Sequence, residues 1–376
     1  MKLTVIVPVC STEESILEKS LEYIFDSSLK NLEVIVVNFG EAKKYDKAKR
    51  KFLKADFFDI EGDELKAKCE GIKKATGDYI YFAEPHSRVF FDYLEGLTAK
   101  AMQEKYDIVL GDWAIQTKSF AYKLANDYTI KKSFYAEDDG VLDLYFSSRG
   151  GERSWFVLWN KIIKTEILKS VVADIDKIEG DKLFDSDRLI TFLAFSKAKN
   201  VGNVHLGLYF KYAKNAFEYF GETKEELSQN ILKLKKTFDF MESNLTEREI
   251  IEDFNLNLMA WRRLTETLLF RNAKRIGHKE LVEDIKTIFG EGVKVFLSAD
   301  AKYAIQKSKM LPKNLNKIED ALKKACFSNK YIKVYAKNET FAFFELVQMK
   351  RLLTKRYDIT LSKIDANLVV PSQKLW

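Results

Sequence analysis

Glu84 and His86 stand two residues apart in Glu84-Pro85-His86-Ser87, directly after the apolar run Tyr79-Ile-Tyr-Phe-Ala83. A carboxylate and an imidazole so placed suit a divalent cation. Mg2+ and Mn2+ favour oxygen ligands, and Mn2+ also accepts imidazole. If the strand's period of two carries on, both side chains point the same way. The competing reading is a loop turned by Pro85 with His86 in solvent. A second acidic group, Asp181, Asp185 and Asp187, precedes a helical pattern at Arg188–Ala198, where these residues can cap the helix and meet its dipole. Cys10–Glu13 and Asn38–Glu41 are polar clusters that end two further apolar runs, and Asp112 follows a third at Ile108–Leu110.

The elements that must position these groups are legible. Leu3-Thr-Val-Ile-Val-Pro-Val9 and Leu32-Glu-Val-Ile-Val-Val37 are β-branched runs of buried-strand type. Between them Ile16, Leu17, Leu21, Ile24 and Phe25 fall at helical spacing, with Ser11 or Thr12 as the expected cap. Phe57-Phe58 marks a short strand, Leu65 to Thr76 a helix, Tyr79–Ala83 a strand, Tyr93 to Met102 a helix and Ile108–Leu110 a strand. This alternation predicts an α/β fold with a mostly parallel central sheet, in which ligands gather beyond the carboxyl ends of the strands. From Glu222 the pattern turns helical. Thr223 with Glu226, and Thr246 with Glu249, each read as a capping box, with a joint at Glu242–Leu245. Further helices are expected over Lys279–Phe289, Leu315–Cys326 and Thr340–Arg356. Two domains follow, 1–218 and an all-α domain over 219–376.

The 376 residues carry 62 basic and 56 acidic side chains, with 46% apolar residues. This excludes a disordered or collagen-like chain, and the mild net charge of +6 gives no argument for a nucleic-acid partner. The charge is uneven: 33 basic against 35 acidic residues in 1–218, and 29 against 21 beyond. Three cysteines without a CxxC pair suggest a reducing, cytoplasmic setting. No run approaches a membrane span, and the short apolar start does not fit a signal peptide. P-loop, nucleophile-elbow and HExxH motifs are absent.

Several segments in consistent order resemble family 2 glycosyltransferases. Val5-Ile-Val-Pro-Val9 with Glu13 resembles the family's opening strand, and Asn31-Leu-Glu-Val-Ile-Val-Val-Asn38 its second, which usually runs into Asp-Asp-Gly-Ser. Lys68, Gly71-Ile72 and Ala75-Thr-Gly-Asp-Tyr-Ile80 resemble the stretch where an Arg helix leads to the strand that ends in Asp-x-Asp; Glu84-Pro85-His86 takes that motif's place. Trp159-Asn160-Lys161, Phe184-Asp-Ser-Asp187 and Leu208–Tyr212 resemble the Trp-Asn-Lys, Glu-Asp and closing Tyr-rich segments. The likeness covers roughly residues 1–215 and implies a GT-A fold. It also implies transfer of a sugar from a nucleotide donor, most simply a UDP-sugar, to an acceptor hydroxyl, with inversion and a metal.

From this resemblance, roles follow for individual residues. Asp187, with Asp185 as neighbour, takes the place of the general base. Pro8, Val9, Glu13, Asn38, Lys68 and Glu84 line the nucleotide sugar, and Glu84 with His86 holds Mn2+ or Mg2+ against the diphosphate. Apart from the resemblance, Asp112 and the aromatic face of Trp155 are candidates to meet the acceptor (a surface glycan, a lipid-linked glycan or a protein), with a loop aspartate that only turns the chain as the equal alternative for Asp112. Phe39 stands where the family has a nucleoside-binding Asp, and Lys68 lacks the bidentate fork of Arg. These departures support a rival: a decayed transferase that acts as a binding or chaperone partner. The basic residues Lys233, Lys235, Lys236, Arg262, Arg263, Arg271, Lys274, Arg275, Lys350, Arg351, Lys355 and Arg356 add the expectation of peripheral docking on an anionic inner membrane face. A solvated helix face is the plainer alternative.

Overall fold

The computed structural model describes residues 1–40, 45–116, 122–124, 135–147, 156–179, 183–212, 221 and 223–251, with scattered positions from 254 to 285. The first compact unit takes in Met1–Ser148 and Glu152–Asn215, and the second runs on from Ala216.

The first unit is built on one sheet. Its strands are β1 (Leu3–Val9), β2 (Leu32–Phe39), β3 (Ala55–Ile60), β4 (Tyr79–Phe82), β5 (Ser87–Val89), β6 (Ile108–Gln116), β7 (Tyr122–Leu124), β8 (Tyr135–Glu137), β9 (Lys161–Lys164) and β10 (Asn200–Tyr212). Among the described residues the order is β3-β2-β1-β4-β9-β6-β10-β5, with β7 beside β6 and β8 beside β10. Strands β3, β2, β1 and β4 run parallel, as do β6 and β10, and β9 lies antiparallel between β4 and β6. The parallel run β3-β2-β1-β4 is the central sheet that the sequence alternation predicts, and β5, β7, β8 and β9 add antiparallel pairings to it. Val5, Ile6, Val7, Val34, Val36 and Val37 are 0–1% exposed, because helices cover both faces of the parallel half.

The covering helices are α1 (Glu14–Phe25), α2 (Asp46–Lys51), α3 (Glu64–Lys74), α4 (Tyr93–Glu104), α5 (Asp139–Ser147), α6 (Thr165–Asp176) and α7 (Ser186–Lys197). Helix α1 buries Leu17, Leu21 and Ile24, matching the sequence pattern. Its cap differs from the expectation. Glu13 is the N-cap and makes no side-chain cap bond. Ser11 instead adopts a left-handed φ of 49°, and the Thr12 hydroxyl donates back to the Cys10 carbonyl at 3.4 Å. Glu14 works on another helix: its Oε1 accepts from the backbone N–H groups of Lys47 at 2.7 Å and Ala48 at 3.1 Å, in the first turn of α2.

In the second unit, α8 (Lys224–Glu247) starts at the expected capping box of Thr223 and Glu226. The second expected box is not formed. The Thr246 hydroxyl donates to the Glu242 carbonyl at 2.8 Å inside a continuing helix, so Glu242–Leu245 is helix and the chain turns at Glu249, whose φ is 58°. Beyond it Phe254, Leu258, Trp261, Thr265 and Leu269 are helical and buried. Arg262, one of the residues expected to face lipid, pairs with Asp239 at 2.8 Å and Glu242 at 3.1 Å. Lys235 also pairs with Asp239. The helices expected at Leu315–Cys326 and Thr340–Arg356 lie outside the described residues. Among the described residues no helix is long and apolar enough to cross a membrane.

Candidate functional site

Parallel pairing aligns the carboxyl ends of β1, β2 and β3, so that Val9 lies opposite Asn38 and Asn38 opposite Asp59. The three residues form one row on one face of the sheet. The other face carries Ile6 and Val37, on which α3 packs through Gly71; a Cβ there would stand 2.8 Å from Ile6. Phe39, one residue on, belongs to this other face and is half-buried. Asn38 is 4% exposed. Its Nδ2 donates to Asp59 Oδ1 at 2.7 Å, while its Oδ1 is buried and bonded to nothing among the described residues. Gly40 turns the chain with φ of +84°, and a Cβ there would meet Cys10 Sγ at 3.0 Å. Tyr45 closes the same corner: its hydroxyl donates to the Thr12 carbonyl at 3.3 Å, and burial, followed by Cys10, pushes its phenol up.

At the end of β4 the expected continuation of the strand does not occur. The Ser87 N–H donates to the Glu84 carbonyl at 3.1 Å, making Glu84–Ser87 a β-turn with Pro85 at its second position. The period-two argument for Glu84 and His86 therefore does not apply, since both residues belong to the turn rather than the strand. Glu84 is half-buried and accepts from the Ser87 hydroxyl at 3.3 Å, and His86 is exposed. Among the described residues no three His, Cys, Asp or Glu side chains group closely enough to hold an ion unaided. One carboxylate and one imidazole still suit Mn2+ when other oxygens complete its shell.

Lys68 and Asp187 meet between α3 and α7. The Lys68 ammonium, 4% exposed, donates to Asp187 Oδ1 at 2.5 Å, Glu64 Oε1 at 2.6 Å and Ser186 Oγ at 2.9 Å. Asp187 Oδ2 accepts from the Leu158 N–H at 3.1 Å. Burial would discharge Lys68, yet Asp187 and Glu64 outweigh it and hold the ammonium charged, above its usual range. Asp187 moves up: burial raises its pKa, and Glu64 and Asp185 add to this against the pull of Lys68. The sequence reading set Lys68 along the nucleotide sugar; in the structure its ammonium is directed at three protein acceptors. Asp185 is the N-cap of α7, its carboxylate accepting from the Arg188 N–H at 3.4 Å, as the capping reading required. Nearby, burial brings Lys161 down to about 7 against the pull of Asp187; its ammonium bonds the Val157 carbonyl and Asn160 Oδ1.

The remaining expected residues are dispersed. Val9 is fully buried, Pro8 half-buried and Glu13 exposed at the start of α1. Asp112 is half-buried on β6, near enough to Tyr93 to add to the rise that burial imposes on that phenol. Trp159 is 2% exposed and packs edge-on against Trp113 at 4.9 Å, while Trp155 and Asp181 lie outside the described residues. Asp59, Glu64, Ser186 and Tyr45 were missed by sequence reasoning. Asp59 left no signal of its own in the sequence; the β2–β3 register alone sets it beside Asn38.

Residues 4–157 match the family model "Glycosyl transferase family 2". This stretch is a family 2 glycosyltransferase domain. The chain is also similar to "Glycosyltransferase GlyA" of Streptococcus pneumoniae serotype 4, at 27% identity over 188 residues. That match takes in 48% of this chain but spans only 27% of the relative's length. Among solved structures, S. aureus TarS 1–349 aligns at 17% identity with a TM-score of 0.45, covering 80% of this chain and 95% of that one. Its complex with UDP-GlcNAc aligns with the same figures. The matched stretch thus runs from β1 to β8 and includes Asn38 and Glu84, whereas Asp187 follows it.

Proposed function

We propose that the N-terminal unit binds a nucleotide sugar beyond the ends of β1, β2 and β4 and transfers its sugar to an acceptor hydroxyl. The observation that carries the reading is the family 2 match over residues 4–157, which includes Asn38, Lys68 and Glu84. Glu84 and His86 would hold Mn2+ or Mg2+, which supplies positive charge to the leaving diphosphate. Asp187 would take the acceptor proton, and burial raises its pKa above the ordinary aspartate value, which makes it a stronger base. Charge from Lys68 reaches this centre through Asp187 rather than by direct contact with a phosphate.

One observation favours the rival, a binding protein without turnover: both oxygens of Asp187 already accept hydrogen bonds. The experiment that separates the readings is hydrolysis of UDP-sugars by the purified chain, with Mn2+ and with EDTA. The enzyme reading expects slow, metal-dependent release of UDP, reduced about 10-fold or more in Glu84→Gln and His86→Ala. Metal-dependent UDP binding without any turnover on a panel of donors and acceptors supports the binding protein.

A further inference from the structure

The row Val9, Asn38, Asp59 puts an amide beside a carboxylate at the strand ends. An Asn side chain offers an acceptor at one end and two donors at the other, and which end faces a ligand depends on its neighbours. Here the neighbour decides. Asp59 accepts from Asn38 Nδ2 at 2.7 Å, and the reversed amide would set two oxygens against each other. Oδ1 is thereby turned away from Asp59, and it is buried without a partner among the described residues. A buried acceptor left unpaired is costly, so the arrangement gains from a ligand that brings a donor. Uncovering Oδ1 breaks no hydrogen bond of that atom. Position 38 is thus an acceptor toward any ligand, as an Asp would be, although its residue is an amide.

Resting on the nucleotide-sugar reading, we infer that Asp59 is a positioning residue that fixes the Asn38 amide so that Oδ1 accepts the ring N–H of a nucleobase. Uracil and guanine carry such an N–H. Cytosine and adenine present a bare ring nitrogen at the same place, which an acceptor repels. The pair therefore selects bases by ring protonation, and the selecting information resides in Asp59 as much as in Asn38.

The test is calorimetric titration of the full chain with UDP, with CDP and with GDP, each with Mn2+, all on one protein preparation, with the UDP and CDP affinities compared. The ratio of the two affinities does not depend on the folded fraction. Wild type should prefer UDP by about 10-fold or more. Asp59→Asn lets the amide reverse, with the new amide donating to Asn38 Oδ1, and the preference should fall to near unity as CDP gains. The double variant Asn38→Asp with Asp59→Asn restores an acceptor held by a donor, and should restore the UDP preference. An unchanged preference in Asp59→Asn overturns the role of Asp59 and leaves the nucleotide reading standing. Loss of both nucleotides in Asp59→Asn without rescue by the double variant also overturns it, since that is the behaviour of a purely structural residue. Equal wild-type affinity for UDP and CDP overturns the acceptor assignment, and failure to bind any of UDP, GDP and CDP overturns both readings.

Discussion

Lys68 Nζ lies 2.5 Å from Asp187 Oδ1, joining α3 to α7 across 119 residues of sequence. The contact lies at a place where a small charge imbalance matters. One ammonium serves two carboxylates, Glu64 and Asp187, and one hydroxyl, Ser186. Glu64 is half exposed, so solvent offsets its share, and the desolvated part of the bond falls on Asp187. Removing Lys68 leaves Asp187 partly buried without its cation. Lys68→Met should cost about 3–5 kcal/mol in urea unfolding, and the added change Asp187→Asn should recover part of it.

Asp187→Asn alone distinguishes a reacting group from a brace. The amide keeps the size of the side chain and still accepts from Leu158. Turnover of a nucleotide sugar should fall by about 100-fold or more while UDP affinity stays within about two-fold. In wild type, the acidic limb of the kcat/KM profile should lie above the usual aspartate range, because burial raises the group. Unchanged turnover in the variant assigns Asp187 to structure alone.

Glu33 ties the amino end of the sheet. Its carboxylate accepts from the Thr4 hydroxyl at 2.5 Å, the Lys2 ammonium at 2.9 Å, the Thr76 N–H at 2.8 Å and the Thr76 hydroxyl at 2.5 Å. Partial burial would raise its pKa, but these bonds dominate and bring it to about 2, against the ordinary 4.5. A carboxyl depressed on folding stabilises the fold above its unfolded pKa and loses that contribution as the pH falls through the folded value. Wild type should therefore lose about 2–3 kcal/mol from this group between about pH 5 and pH 2. Glu33→Gln should be less stable by a similar amount at pH 7, and the gap should close at about pH 2, as read by urea unfolding at both pH values.

Gly77 sits where no side chain fits. A Cβ would stand 2.7 Å from the Thr4 nitrogen, 2.7 Å from its hydroxyl and 2.9 Å from the Lys2 carbonyl, two of which are backbone atoms that cannot swing aside. Gly77→Ala should cost roughly 1–3 kcal/mol by thermal or urea melting. Gly140→Ala, whose nearest neighbour would be 3.7 Å away, should be tolerated.

Strands β1, β2 and β4 were legible because their middles are buried on both faces and read as short β-branched or aromatic runs, with Thr4 and Glu33 as polar exceptions near the amino ends of β1 and β2. The start of α8 was legible because a capping box is a local device. Helix α2 was not, since Asp46-Lys-Ala-Lys-Arg-Lys51 has no apolar stripe and buries only Ala48; it is held by Glu14, which lies 33 residues earlier. The Thr246 box failed because Thr246 lies in the last turn of α8, where its hydroxyl donates back to the Glu242 carbonyl, and Glu249 falls in the turn beyond the helix end. In the site, Asn38 was found from its place at a strand end. Asp59 acquires meaning only from the register of β2 with β3, and the Lys68–Asp187 bond only from the packing of α3 on α7, neither of which leaves a spacing in the sequence.

Thr4 and Glu33 face each other across β1 and β2 in the same register that places Val9 opposite Asn38 five residues later. At about 3.3 Å per residue these two events are separated by about 16 Å. A slip of one residue between the strands would turn every side chain of β2 to the opposite face and carry Asn38 away from Asp59's row. Valine against valine along the middle of the pair is nearly indifferent to such a slip; a carboxylate that must find a hydroxyl on β1 and a threonine beyond α3 is not. Glu33 is thus a remote alignment mark for the ligand end of the sheet, and its loss should disturb a site that it never touches.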